Sequence, residues 1–180
     1  MLPYELPNGC VLRLLEECDA EELERTISAN REYLGRWLPW VGVTSGVESR
    51  LAFIRTSLQQ AAADDGFVAA VVDDGAIIGT IGFHRIDWVN RATSIGYWLA
   101  EDHQGRGTMT EAVSALVAHA FGAWRLHRVE IRVAVGNERS ARIPLRLGFA
   151  EEGVLRGAER HGDSYLDLRV FSLLATERPT

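Results

Sequence analysis

Residues 93–121, TSIGYWLAEDHQGRGTMTEAVSALVAHAF, contain the change of period that decides the fold. The first seven residues, up to Leu99, are rich in β-branched and aromatic side chains, as strands are. The next stretch, Glu101-Asp102-His103-Gln104-Gly105-Arg106-Gly107, is polar and punctuated by glycine. Beyond it Met109, Ala112, Val113, Leu116, Val117, Ala120 and Phe121 recur at helical spacing over about three turns. A strand, a glycine-rich loop and a helix therefore follow one another. The first N–H groups of such a helix lack intrahelical acceptors, and its dipole favours negative charge there. Gly105 and Gly107 remove the side chains that would hold a phosphate off the backbone. The pattern points to a phosphate-bearing cofactor. Its structural alternative is an ordinary helix start capped by Thr108-x-x-Glu111.

Upstream, residues 76–83 and 67–72 read as two strands joined across Asp73-Asp74-Gly75, a hairpin turn signal. Residues 47–63 form a helix with Leu51, Ile54 and Leu58 on one stripe, stopped at Gly66. Residues 19–33 form another, with Ala20, Leu23 and Ile27 near one face, and residues 9–16 (GCVLRLLE) a first strand. Between the helices lies an aromatic turn holding Trp37, Pro39 and Trp40. Such tryptophans serve either as core packing or as one wall of a substrate groove.

Downstream, residues 128–135 alternate, with Val129, Ile131, Val133 and Val135 on one side and Arg128, Glu130 and Arg132 on the other. Asn137 then reads as the N-cap of a short helix stopped by Gly148. Pro144 cannot donate to the Ser140 carbonyl, so a helix running that far bends beside Ser140. The remainder, residues 152–160 and 164–174, reads as a hairpin around His161-Gly162-Asp163, one face wetter than the other.

A chain of 180 residues that is 47% hydrophobic and 24% charged is read as one domain covering residues 1–180. No apolar run has membrane-helix length, and the opening MLPYELPNG resembles no signal peptide. Cys10 and Cys18 form no Cys-x-x-Cys pair, which suits a reducing cytoplasm rather than a disulfide scaffold. A formal net charge of −6 argues against nucleic-acid binding and suits a basic partner. The five histidines are scattered, with no His-Glu-x-x-His, so no metal is expected. There is no Gly-x-Ser-x-Gly elbow of a hydrolase.

The loop lacks the third glycine of a dinucleotide fingerprint, Thr110 standing in its place, and the lysine of a P-loop. What it resembles is Leu99-x-x-x-x-Gln104-x-x-Gly107-x-Met109, similar to the acetyl-CoA pyrophosphate loop of the GCN5-related N-acetyltransferases (GNAT). Met109 replaces the small residue usual there, and Gly-x-Met-Thr resembles the RimJ/RimL branch, which acetylates N-termini of ribosomal proteins. Residues 137–149, Asn-x-x-Ser-x-x-Ile-x-x-Arg-x-Gly-Phe, closely resemble the segment that borders the cofactor thiol in that family. The resemblance implies an α/β (α+β) GNAT fold: a mixed, mostly antiparallel twisted sheet of six to seven strands with about four helices. It implies acetyl-CoA as cofactor, held by Gln104, Gly105, Arg106, Gly107, Thr108 and Met109, with pantetheine along Trp98 and Leu99 and contacts from Asn137 and Ser140. It casts Glu159 as general base, Ser140 as the acid that reprotonates the thiolate, and Trp37, Trp40 and Trp88 as the frame of the acceptor. It also implies a homodimer. The acceptor would be a protein N-terminus. Its alternatives are a small amine, such as an antibiotic or aminoacyl conjugate, or a sensor that binds acetyl-CoA without turning it over.

Overall fold

The computed structural model describes residues 1–177. Among these, eight strands form one sheet, in the order β1-β2-β3-β4-β5-β6-β8-β7. They are β1 (Tyr4–Glu5), β2 (Val11–Leu14), β3 (Val68–Asp73), β4 (Ala76–Phe83), β5 (Ala92–Leu99), β6 (Arg128–Ala134), β7 (Ala150–His161) and β8 (Ser164–Leu174). The helices are α1 (Ala20–Ala29), α2 (Arg31–Gly35), α3 (Trp40–Val43), α4 (Val47–Ala62), α5 (Thr108–Gly122) and α6 (Glu138–Arg146). The sheet exceeds the expected six to seven strands by β1, a two-residue strand whose short, turn-rich surroundings leave no periodic signal.

Every neighbouring pair is antiparallel except β5 and β6, which α5 joins as a parallel crossover. That pairing covers only residues 92–94 against 128–130, and the strands then part. The N–H of His84 donates to the Ser94 carbonyl and that of Ala100 to the Ile78 carbonyl, which fixes the register on the β4 side. Even-numbered β5 residues therefore spend their backbone groups on β4, while Tyr97 and Leu99 turn theirs toward the opening. The cleft described below begins at that opening.

Each face of the sheet carries its own core. Ile95, Leu99, Met109, Val113, Leu116, Ile131, Phe149 and Phe171 pack on the α5 and α6 side. Leu15, Leu23, Ile27, Leu34, Val41, Ile54, Ile77 and Trp98 pack on the side of α1 to α4. Because β8 lies between β6 and β7, Phe171 is fully buried and Leu168 and Val170 are buried on the opposite face, while Tyr165 and Asp167 nearer the turn stay exposed. The wetter face read from the alternation is present at Asp167 and Arg169, and from Val170 onward both faces are covered. Val135 falls just past the end of β6 and is exposed.

The helix expected over residues 19–33 is broken at Asn30 (φ −110°, ψ 12°) into α1 and α2. The Asn30 side chain donates to the Thr26 carbonyl and accepts from the Glu101 N–H at 2.9 Å, local bonds that compete with the helix ladder. Arg13 clamps Asp19 with two hydrogen bonds of 2.7 and 2.8 Å, tying β2 to the start of α1.

Candidate active site

The opening between β5 and β6 leads into a cleft of about 250 Å³, walled by α2, the end of β5, the loop before α5 and the inner face of α6. Gln104 is its corner post. Its Nε2 donates to the Leu99 carbonyl at 3.0 Å, while its Oε1 accepts from the Tyr33 hydroxyl at 3.0 Å and from Arg139 Nη1 at 2.7 Å. Strand, loop, α2 and α6 thus meet on one side-chain amide.

Gly105 and Gly107 adopt φ of +80° and +84°, and a Cβ at either would meet nothing within 4 Å. The left-handed backbone, rather than crowding, demands glycine at both positions. Gly107 serves as N-cap of α5 without a side-chain cap. Among the described residues the N–H groups of residues 105–110 donate to no protein acceptor. They form a row of free donors at a helix start, which is what a pyrophosphate requires.

The capping box offered as the structural alternative does not form. The Thr108 hydroxyl instead accepts from Asn8 Nδ2 at 2.8 Å, and the Glu111 carboxylate accepts from the Asn8 N–H at 3.3 Å. The turn between β1 and β2 thereby holds the first turn of α5 from outside, with the Thr108 side chain buried against it and its backbone N–H free. Met109 is buried in the core and likewise contributes backbone. Arg106 and His103 both lean toward Asp73 Oδ2, at 3.8 and 3.3 Å.

Across the cleft, Asn137 caps α6 by accepting the Ser140 N–H at 3.2 Å, and the helix runs through Pro144. Ser140 faces the cleft as expected. Its Oγ donates to the Tyr97 hydroxyl at 3.2 Å, and that hydroxyl donates to the Ser140 carbonyl at 3.3 Å. Burial pushes the Tyr97 phenol up to about 12, so it stays protonated throughout the physiological range. Tyr97 escapes a reading by motif. Its one signal in the sequence is its place on the odd-numbered face of β5, shared with Leu99.

Trp37, Trp98 and Leu99 line the cleft; Trp40 and Trp88 do not. Trp40 packs with the core under α1 to α4 and lies beneath the Arg50 guanidinium, 5.4 Å away. Trp88 donates Nε1 to the Asp64 carbonyl and stacks edge-on to Trp124, beside the far end of α5. Both are corrections to the expected acceptor frame, since an aromatic near a turn shows its direction only once packed. Glu159 lies on β7 opposite Leu166, beyond a break in register, and is half-buried. Burial raises its carboxyl above the ordinary range and His161 pulls it back. His161 Nε2 sits 2.7 Å from the Gly35 carbonyl, bringing the hairpin tip to the end of α2. Among the described residues no cluster of His, Cys, Asp and Glu is placed to hold a metal.

A parted pair of strands, a row of free N–H groups and a hydroxyl pair opposite them make a site for a thioester carried on a nucleotide arm. Residues 10–150 match the family model for the acetyltransferase (GNAT) domain. The chain is 39% identical to YdaF of Bacillus subtilis (strain 168) over 178 residues, 98% of this chain and 97% of that one. It is 30% identical over 161 residues to the ribosomal-protein-serine acetyltransferase of Escherichia coli (strain K12), covering 89% of this chain and 90% of that one. Among solved structures it resembles the microcin C7 self-immunity acetyltransferase MccE in complex with acetyl-CoA and AMP. There the TM-score is 0.86 and the identity 28%, over 92% of each chain. The chain belongs to the GNAT acetyltransferases. Its acetyl donor is acetyl-CoA, which the free N–H row and the opening beside Tyr97 and Leu99 fit.

Proposed function

We propose that this single-domain enzyme acetylates the N-terminal α-amine of a protein, a ribosomal protein first, by direct attack of the amine on acetyl-CoA. The observation that carries the proposal is the β5–β6 opening with the Ser140–Tyr97 pair on the cleft wall. Glu159 does not itself line that cleft, and its hairpin reaches α2 through His161. The name of the Escherichia coli relative supports the choice of acceptor.

Acetyl-CoA supplies an activated acyl group on a thiol leaving group; the remaining work falls to the chain. N–H groups of residues 105–110 grip the pyrophosphate. The N–H of Tyr97 or Leu99, turned away from β4, polarises the thioester oxygen. Glu159 takes a proton from the incoming amine, directly or through one water. An α-amine has a pKa of about 7.7–8.0 against roughly 10.4 for lysine, so the base has modest work for an N-terminus and far more for a lysine. Ser140 turns its hydroxyl hydrogen from Tyr97 to the departing sulfur, gives it that proton, and regains one from solvent. Trp37 forms the wall on the acceptor side of the cleft.

The proposal includes a homodimer and a cytoplasmic site of action. Edge strand β7 is exposed along nearly its whole length and presents Val154 and Leu155, with Tyr165 exposed on β8 nearer the turn, opposite Arg160. No helix among the described residues is long and apolar enough to cross a membrane. Acetylation of a small amine is the second reading, supported by the likeness to MccE.

Incubation with acetyl-CoA and unmodified ribosomal proteins, followed by intact-protein and fragment mass spectrometry, tests the acceptor. One acetyl group on the N-terminal residue supports the proposal. Acetylation confined to lysines, or to added small amines, overturns it.

A further inference from the structure

Helix α6 carries arginines at positions 139, 142 and 146, spaced so that all three line the same cleft. Their engagements differ. Arg139 is spent on Gln104. Among the described residues Arg142 and Arg146 make neither an ion pair nor a side-chain hydrogen bond. The one acidic residue of the helix, Glu138, is turned to Arg169 of β8 at 3.2 Å and does not neutralise them. Arg106, across the cleft, leans on Asp73. In a chain of net charge −6, two uncompensated guanidinium groups on one cleft wall are a local inversion of sign.

The pyrophosphate of coenzyme A already has the N–H row of residues 105–110. The same nucleotide carries a second anion, the 3′-phosphate of its ribose, with a charge of about −1.5 to −2 near neutral pH. The thiol end belongs at Ser140, and Arg142 and Arg146 follow it along the helix. They lie about 3 and 9 Å further on at 1.5 Å per residue. Guanidinium groups bind phosphate through paired N–H donors.

We propose that Arg142 and Arg146 form the 3′-phosphate subsite and set the preference of this enzyme for coenzyme A over dephospho-coenzyme A. The inference rests on the acetyl-CoA reading of the cleft. Calorimetric titration of the full chain with coenzyme A and with dephospho-coenzyme A tests it, on wild type, Arg142→Ala, Arg146→Ala and the double variant, with thermal melting of each as a control for folding. Wild type binds coenzyme A about 10- to 100-fold more tightly than the dephospho form. The double variant loses most of that preference while its affinity for dephospho-coenzyme A stays within about twofold of wild type. Added salt narrows the wild-type preference and leaves the double variant unmoved. A preference retained by the double variant, or absent from wild type, overturns the subsite. So does an equal loss for both ligands, which would assign the arginines to the pyrophosphate or the fold. Failure of wild type to bind either ligand would instead overturn the acetyl-CoA reading beneath it.

Discussion

Ser140 and Tyr97 share a hydroxyl contact, and removing each partner has a different consequence. Ser140→Ala takes away the hydrogen that reaches the sulfur but leaves Tyr97 donating to the Ser140 carbonyl. We expect kcat to fall about 10- to 100-fold with little change in melting temperature. That is the low end for an acid catalyst, because a thiolate with a conjugate pKa of about 8.5 leaves readily. A change in KM alone would make Ser140 a binding residue only. Glu159→Gln should lower kcat about 100-fold. Its effect on stability has the opposite sign to that of a salt-bridged acid. Burial raises the folded-state pKa of Glu159, so its favourable contribution holds below the unfolded value and is lost as pH rises through the folded one. At pH 7 the variant should therefore melt no lower than wild type, and scanning calorimetry checks this. Gln104, Gly105 and Gly107 were legible in the sequence because a loop that binds phosphate makes demands on backbone and spacing. Tyr97 was not, since its value depends on which side of β5 faces the opening. Trp40 and Trp88 misled for the same reason, being large side chains whose direction packing alone decides.

At the scale of elements, the loop depends on its neighbours for shape. Gly107→Ala places a Cβ at φ +84°, which costs about 1–2 kcal/mol in the left-handed region. The same change disturbs the row of N–H groups, so coenzyme A should bind at least tenfold more weakly by calorimetry while the fold survives. The β2–α1 clamp is a stability element apart from the site. Arg13 holds the Asp19 carboxyl below its usual range, and the Glu16 N–H adds a hydrogen bond of 2.7 Å. A depressed pKa contributes stability above the unfolded value and loses it as pH falls through the folded one. Asp19→Asn should cost about 2–3 kcal/mol at pH 7, and the gap from wild type should shrink below about pH 4 in urea melts. Strands β3 to β6 and helices α4 to α6 were legible because their periods are long and their stops are glycine or turn residues. The break at Asn30 was not. An asparagine that serves a loop 71 positions away leaves no local trace beyond its weak helix propensity.

At the scale of the molecule, function follows from one topological event, the parting of β5 from β6 after three residue pairs. The opening exposes backbone groups of a central strand, and α5 and α6 close over it from one side. This event was not legible in the sequence, because the alternation along β6 is the same whether or not β5 accompanies it. The proposed dimer also belongs to this scale. Leu155→Lys on β7 should shift the sedimenting species from dimer to monomer, and an unchanged species would move the interface elsewhere. The central claim, transfer of acetyl from acetyl-CoA to a free N-terminus, is tested most directly by thiol release. Purified enzyme receives acetyl-CoA and paired peptides of one sequence, with free or acetyl-blocked N-termini and an internal lysine in both. The account predicts release only with the free N-terminus, rising with pH as the α-amine loses its proton near 8. Equal release from the blocked peptides, or none from either while acetyl-CoA binds tightly, would contradict it.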